Sequence, residues 1–249
     1  VFVGLPGLLV AGLVLLLREP VRRGAATPLA WHEAACWMRL ERRFLLRHHL
    51  GFALLSLVAY ASAAWIPTAF VRSFGWTTVQ AALCFGGMTV VFSVAGCLAG
   101  GVLSDRLARQ HGGLARVRVG VWAALGLLAA CTGFAVAPGA IAAAAMLAPM
   151  CFFVAMPFGV ASAVLVEQAP PALRGQASAL YLMAISVIGI GLGPTAVALC
   201  TEQLFGDPAA VRLSIGLVCA LASLAAAGLL RGLAVPGTRV RRGAVARQA

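Results

Sequence analysis

Gly100-Gly101-Val102-Leu103-Ser104-Asp105-Arg106-Leu107-Ala108-Arg109 closes a long apolar run and opens a basic loop. Gly101 and Asp105 are one helical turn apart, so a small contact surface and a carboxylate share one face. The carboxylate falls where hydrocarbon gives way to water, with Arg106 and Arg109 behind it. A group placed there suits a charged latch on the end of a membrane helix. An ordinary stop-transfer end with positive charge reads the same way on this stretch alone, so the surrounding chain has to decide.

Of the 249 residues, 62% are hydrophobic and only 10% charged, which fits no soluble class. Apolar runs of about 20 residues read as membrane helices. The net charge of +12 invites a nucleic-acid partner. Its distribution argues against one, because the arginines lie in separated short loops and not along one amphipathic face. Every basic residue is Arg, a usage expected of a GC-rich bacterial genome. The seven cysteines form no C-x-x-C and lie mostly in apolar runs, so they read as small apolar filler. No metal or cofactor is expected.

The chain opens inside an apolar run, without a signal-peptide n-region, and reads as part of a longer protein. Residues 1–17 are expected to be the end of one helix. Residues 18–47, with seven arginines, are expected to be a loop. Six longer runs follow, at about 50–71, 79–103, 117–136, 141–166, 177–200 and 211–233. They make residues 48–233 a six-helix bundle, and 234–249 a basic tail. Thr77 or Thr78 is placed to cap the second of these runs, and Asp207-Pro208 the last. Pro149 and Pro157 fall inside the fourth, where neighbouring helices can satisfy the freed carbonyls.

If the loops alternate sides, all of the nineteen arginines except Arg72 and Arg212 fall on one side. Cytoplasmic loops collect arginine, so that side and the tail are assigned to the cytoplasm, in a bacterial inner membrane. Grouping the six runs as two triplets gives each middle helix a G-x-x-x-G, Gly96 with Gly100 and Gly189 with Gly193. Small residues at that spacing let helix backbones approach closely. Because an odd number of helices separates equivalent spans, the repeat would be inverted.

The opening stretch resembles the signature loop of the major facilitator superfamily, Gly-x-x-x-Asp-Arg-x-Gly-Arg-Arg/Lys. It matches at Gly101, Asp105, Arg106 and Arg109 and departs at Ala108 and Gln110. Trp65-Ile66-Pro67-Thr68, Arg174 through Tyr181, and Gly191-Leu192-Gly193-Pro194 resemble the Spinster-like subgroup. The resemblance implies an all-α integral membrane protein, the six-helix C-terminal bundle of a major facilitator fold plus the end of one preceding helix. It further implies nested inverted repeats and alternating access. The implied partners are the bilayer, a missing N-terminal half and a small organic, amphipathic or lipid-like substrate. Some family members export lysolipids or related amphiphiles.

By the same resemblance, Asp105 meets a helix N-terminus in the other half, where a carboxylate gains about 0.3–1 kcal/mol. The helix beginning near Arg174 and Gly175 awaits a reciprocal carboxylate. Candidate substrate-lining residues are Ser56, Tyr60, Ser62, Trp65, Thr89, Ser93, Ser162, Tyr181 and Ser186. Interface anchoring and helix packing compete for the same side chains. His48 and His49 read as solvated or headgroup-facing. No H-E-x-x-H, G-x-S-x-G or paired carboxylates point to an enzyme. A non-transporting scaffold or a channel remains the rival reading.

Overall fold

The computed structural model describes residues 31–234, together with Gly7, Gly12 and Leu13. The expected helix end at 1–17, apart from those three positions, and the tail beyond 234 lie outside the described residues. A short helix α1 (Trp31–Leu40) leads into six helices long and apolar enough to cross a membrane. These are α2 (Arg42–Phe74), α3 (Thr78–His111), α4 (Gly113–Val136), α5 (Ala140–Gln168), α6 (Pro171–Phe205) and α7 (Pro208–Ala234). Each of the six expected runs is found, and several are extended by residues that the hydropathy pattern leaves out, such as 42–49 in α2 and 104–111 in α3.

The helix ends follow local chemistry. Thr77, not Thr78, caps α3: its hydroxyl accepts from the Gln80 amide while the Gln80 side chain accepts from the Thr77 N–H. Asp207 accepts from the Ala209 N–H at 2.8 Å, with Pro208 in the first turn of α7. Gly75 and Gly206, at φ 68° and 64°, end α2 and α6 in the left-handed region that glycine enters without a Cβ clash.

The segment expected to be a loop to residue 47 is helical from Trp31 onward. Ala34, Trp37, Glu41, Phe44 and His48 recur at alternating spacings of three and four and are all buried. The arginines Arg39, Arg42 and Arg43 occupy the exposed side. One buried stripe therefore runs from α1 into α2. The run is too polar for a span but amphipathic enough for a helix.

Two kinds of helix make the bundle. α4 and α7 pack mainly on each other, and α7 also on α2. Half of the residues in their most apolar windows are buried, against 11% in α3 and 17% in α6. Phe134, Leu127, Ile215 and Leu230 sit in the core between α4 and α7. α3 and α6 pack along one side only and leave Leu83, Val90, Leu98, Leu182, Val187 and Ile190 exposed. Both helices contain π-helical turns, at Thr89–Ser93 in α3 and at Ile185–Leu192 and Cys200–Phe205 in α6.

Candidate functional site: the glycine seams, the charged end and the central cavity

All four glycines of the two pairs lie where helices approach closely. A Cβ on Gly96 would run into the carbonyl of Phe152, and one on Gly100 into that of Met156, so α3 lies directly on the backbone of α5. In the second triplet, a Cβ on Gly193 would meet Leu57 O of α2 at 2.9 Å, and one on Gly189 the side chains of Ser56 and Tyr60 at 3.1 Å. Each middle helix thus packs through its glycines against the first helix of the other triplet. The contact is reciprocal, as an inverted repeat requires.

At the arginine-rich end, Asp105 has a partner within this chain. Arg116, entering α4, donates to Asp105 Oδ1 at 2.7 Å and to Ser104 Oγ at 3.1 Å. Its Nε lies 3.5 Å from Glu167 Oε2 at the end of α5. One guanidinium therefore ties α3, α4 and α5 together. The Asp105 side chain is still 62% exposed. Gly101 is also open, with nothing within 4 Å of a Cβ built there, and Arg106 and Arg109 are exposed. Arg174 folds back across the turn before α6, its Nε donating to Ala169 O at 3.3 Å. Arg116 and Glu167 were not among the expected latch residues. They stand outside the signature, and only the fold brings them to Asp105.

The lining candidates divide. A cavity of about 400 Å³ opens between α2, α5 and α6, and Ser56, Tyr60, Ser162 and Tyr181 all line it. Phe52, Leu55, Phe158 and Ile185 supply its apolar wall. Proline explains part of its shape: α5 is interrupted at Met156–Pro157, beside the cavity, where the ring removes an N–H from the helical ladder. Ser186 lies on the exposed side of α6 and donates to Leu182 O. Ser62 is buried, and its Oγ has no hydrogen-bond partner among the described residues.

Trp65 lies elsewhere, in a pocket of about 290 Å³ at the opposite end with Arg72, Glu202 and Asp207. Its indole N–H donates to Pro194 O at 2.9 Å, and Arg72 stacks over its ring at 5.9 Å. Thr89 and Ser93 turn toward α5, where Thr89 Oγ1 is 3.7 Å from Cys151 Sγ and Ser93 donates to Cys151 O at 3.3 Å. Those two hydroxyls join α3 to α5.

The expectation for His48 and His49 needs correction. His48 is fully buried, ringed by Phe44, Phe52 and Tyr181, with Nε2 2.9 Å from Ala161 O. His49 is buried too, with Nε2 3.3 Å from Ala177 O. The pair links α2 to α5 and α6 beside the cavity. Placing them by distance from the apolar run missed this; the three-four stripe that ends on His48 was the available signal.

A family model described as the Major Facilitator Superfamily matches residues 1–194. Among solved structures, a bacterial homologue of the human lysosomal transporter Spinster, inward-facing and unoccupied, aligns with a TM-score of 0.58 at 21% identity. The alignment covers 94% of this chain and 56% of that one. The same homologue in its inward-facing occupied conformation aligns with a TM-score of 0.56 at 19% identity, over 94% and 55%. This chain thus spans about half the length of those structures, and at these identities the likeness is one of fold. No curated protein matches. The family model covers most of the chain, and the bundle of paired, glycine-sutured helices has the corresponding fold: this protein belongs to the Major Facilitator Superfamily of transporters.

Proposed function

We propose that this chain is one lobe of a secondary transporter that moves a small amphipathic or lipid-like organic molecule by alternating access. The observation that carries the reading is the cavity between α2, α5 and α6. Its wall is mostly apolar, yet the hydroxyl-bearing residues Ser56, Tyr60, Ser162 and Tyr181 line it from three helices. A few polar groups on an apolar wall suit a molecule with both characters. The open apolar faces of α3 and α6 are where the N-terminal half would seat, so that the two lobes rock about the cavity. Arginine placement puts the arginine-rich end and the tail in the cytoplasm, in a bacterial inner membrane.

Asp105, held by Arg116 but still exposed, serves in this reading as the latch between lobes. It meets a helix N-terminus of the other half while the cytoplasmic side is closed, next to the bare surface of Gly101. Asp105→Asn in the full-length protein is expected to lower transport and shift the equilibrium toward the inward-facing state. Unchanged transport together with unchanged cysteine accessibility on the cytoplasmic side would reject the latch. For the transporter itself, the test is counterflow in proteoliposomes loaded with candidate amphiphiles. Saturable exchange supports a carrier, whereas non-saturable flux would point to a channel.

A further inference from the structure

The seam between α4 and α7 holds a groove of about 550 Å³ that belongs to neither the cavity nor the charged end. Four of its residues come from α4, Arg118, Val121, Trp122 and Leu125, and α7 contributes Leu224, Ala227, Gly228 and Arg231. Both sets repeat at three and four, so each is one helix face. The two helices run in opposite directions, and this puts like opposite like. Arg118, near the start of α4, shares the arginine-rich end with Arg231, near the end of α7. Trp122 lies opposite Ala227 and Gly228, and Leu125 opposite Leu224, about 10 Å deeper by helical rise.

We propose that this groove binds an anionic phospholipid, phosphate at the two arginines and acyl chain along the floor. Among the described residues, neither guanidinium is held by an ion pair or hydrogen bond. Two unneutralised cations at the mouth of an apolar slot call for an occupant with an anionic head and a hydrocarbon body. The chain's own tail is a poor fit, since Arg239, Arg241, Arg242 and Arg247 carry the same sign as the mouth. Trp122 lies one helical turn in from Arg118, where an interfacial indole would sit between headgroup and acyl chain. Gly228 leaves the floor open, with nothing within 4 Å of a Cβ built there. Basic pockets between membrane helices are a recurring means of holding anionic headgroups. The proposal depends on the membrane fold and is independent of the carrier reading.

The test is native mass spectrometry of the delipidated full-length protein offered equal phosphatidylglycerol and phosphatidylcholine. The wild type is expected to retain phosphatidylglycerol in preference. Arg118→Gln with Arg231→Gln should lower that preference roughly tenfold, while Arg72→Gln with Arg212→Gln at the opposite end leaves it intact. Gly228→Leu, which fills the floor and keeps both arginines, should also abolish retention, and it decides the matter if the double variant fails to fold. No preference in the wild type, or a preference that survives both groove variants, would overturn the proposal.

Discussion

The two glycine seams are repeat equivalents, yet they are not equally tight. Where α3 crosses α5, Gly96 and Gly100 both face backbone carbonyls, those of Phe152 and Met156, and nothing there can yield without moving a helix. Where α6 crosses α2, Gly193 faces a carbonyl, but Gly189 faces the Cβ of Ser56 and the ring of Tyr60, and the ring can turn. The looser end of the second seam is also where the cavity opens, with Tyr60 in both. The ends of the seams are fastened differently as well. Arg116 holds α3, α4 and α5 through partly exposed ion pairs, whereas buried imidazoles hold α2, α5 and α6. Two sutures of similar design thus join the helices, and a difference of side chains leaves a cavity beside one of them.

The largest expected effect breaks the tight seam. Gly96→Leu sets a side chain against a carbonyl that cannot withdraw, and overpacking of this kind costs about 1–3 kcal/mol or more. Thermal unfolding of the full-length protein in detergent should show a large fall in Tm, or no monodisperse protein at all. Gly189→Ala should lower Tm much less, because Tyr60 can turn aside. Equal losses would erase the distinction between the seams.

His48→Ala comes next. Removing a fully buried aromatic-sized ring leaves a cavity worth about 3 kcal/mol, and the carbonyl of Ala161 loses its imidazole partner. The same Tm measurement checks it, and His48→Phe should recover part of the loss by refilling the space. Arg116→Gln is expected to cost less, about 1 kcal/mol, because its carboxylate partners are partly exposed although the guanidinium itself is mostly buried. Its effect should be seen in transport, through the loosened Asp105. Smallest of all is Tyr60→Phe, which keeps the ring against Gly189 and removes only the hydroxyl. Its Tm should stay near wild type while the concentration dependence of exchange changes.

Much of the fold could be read from hydropathy, because a membrane span is a one-dimensional signal. Six runs and a G-x-x-x-G in each middle helix were enough for the bundle and its seams. Four of the expected lining residues, Ser56, Tyr60, Ser162 and Tyr181, do share one cavity, because their place there depends on their own helix faces. The site was not legible where a residue's place depends on which helices cross. Thr89 and Ser93 also bond to Cys151 of α5, a contact their own helix does not announce. Trp65 bonds to Pro194 in a separate pocket, a placement that depends on how α2 and α6 cross. Arg116 and Glu167 are far apart in sequence and meet only because α4 begins at the level where α5 ends. His48 hid for a different reason, since a polar residue beside three arginines reads as solvated unless the buried stripe from Ala34 through Phe44 is counted first.

The account stands on six helices that alternate across the bilayer with their arginines gathered on one side. In the full-length protein, on a cysteine-free background, single replacements Arg43→Cys, Arg106→Cys and Arg72→Cys can each be exposed to a membrane-impermeant thiol reagent. Positions 43 and 106 should react from the same face of the membrane and position 72 from the other. Labelling of 43 and 106 from opposite faces would contradict the alternation, and with it the lobe, the latch and the cavity between them.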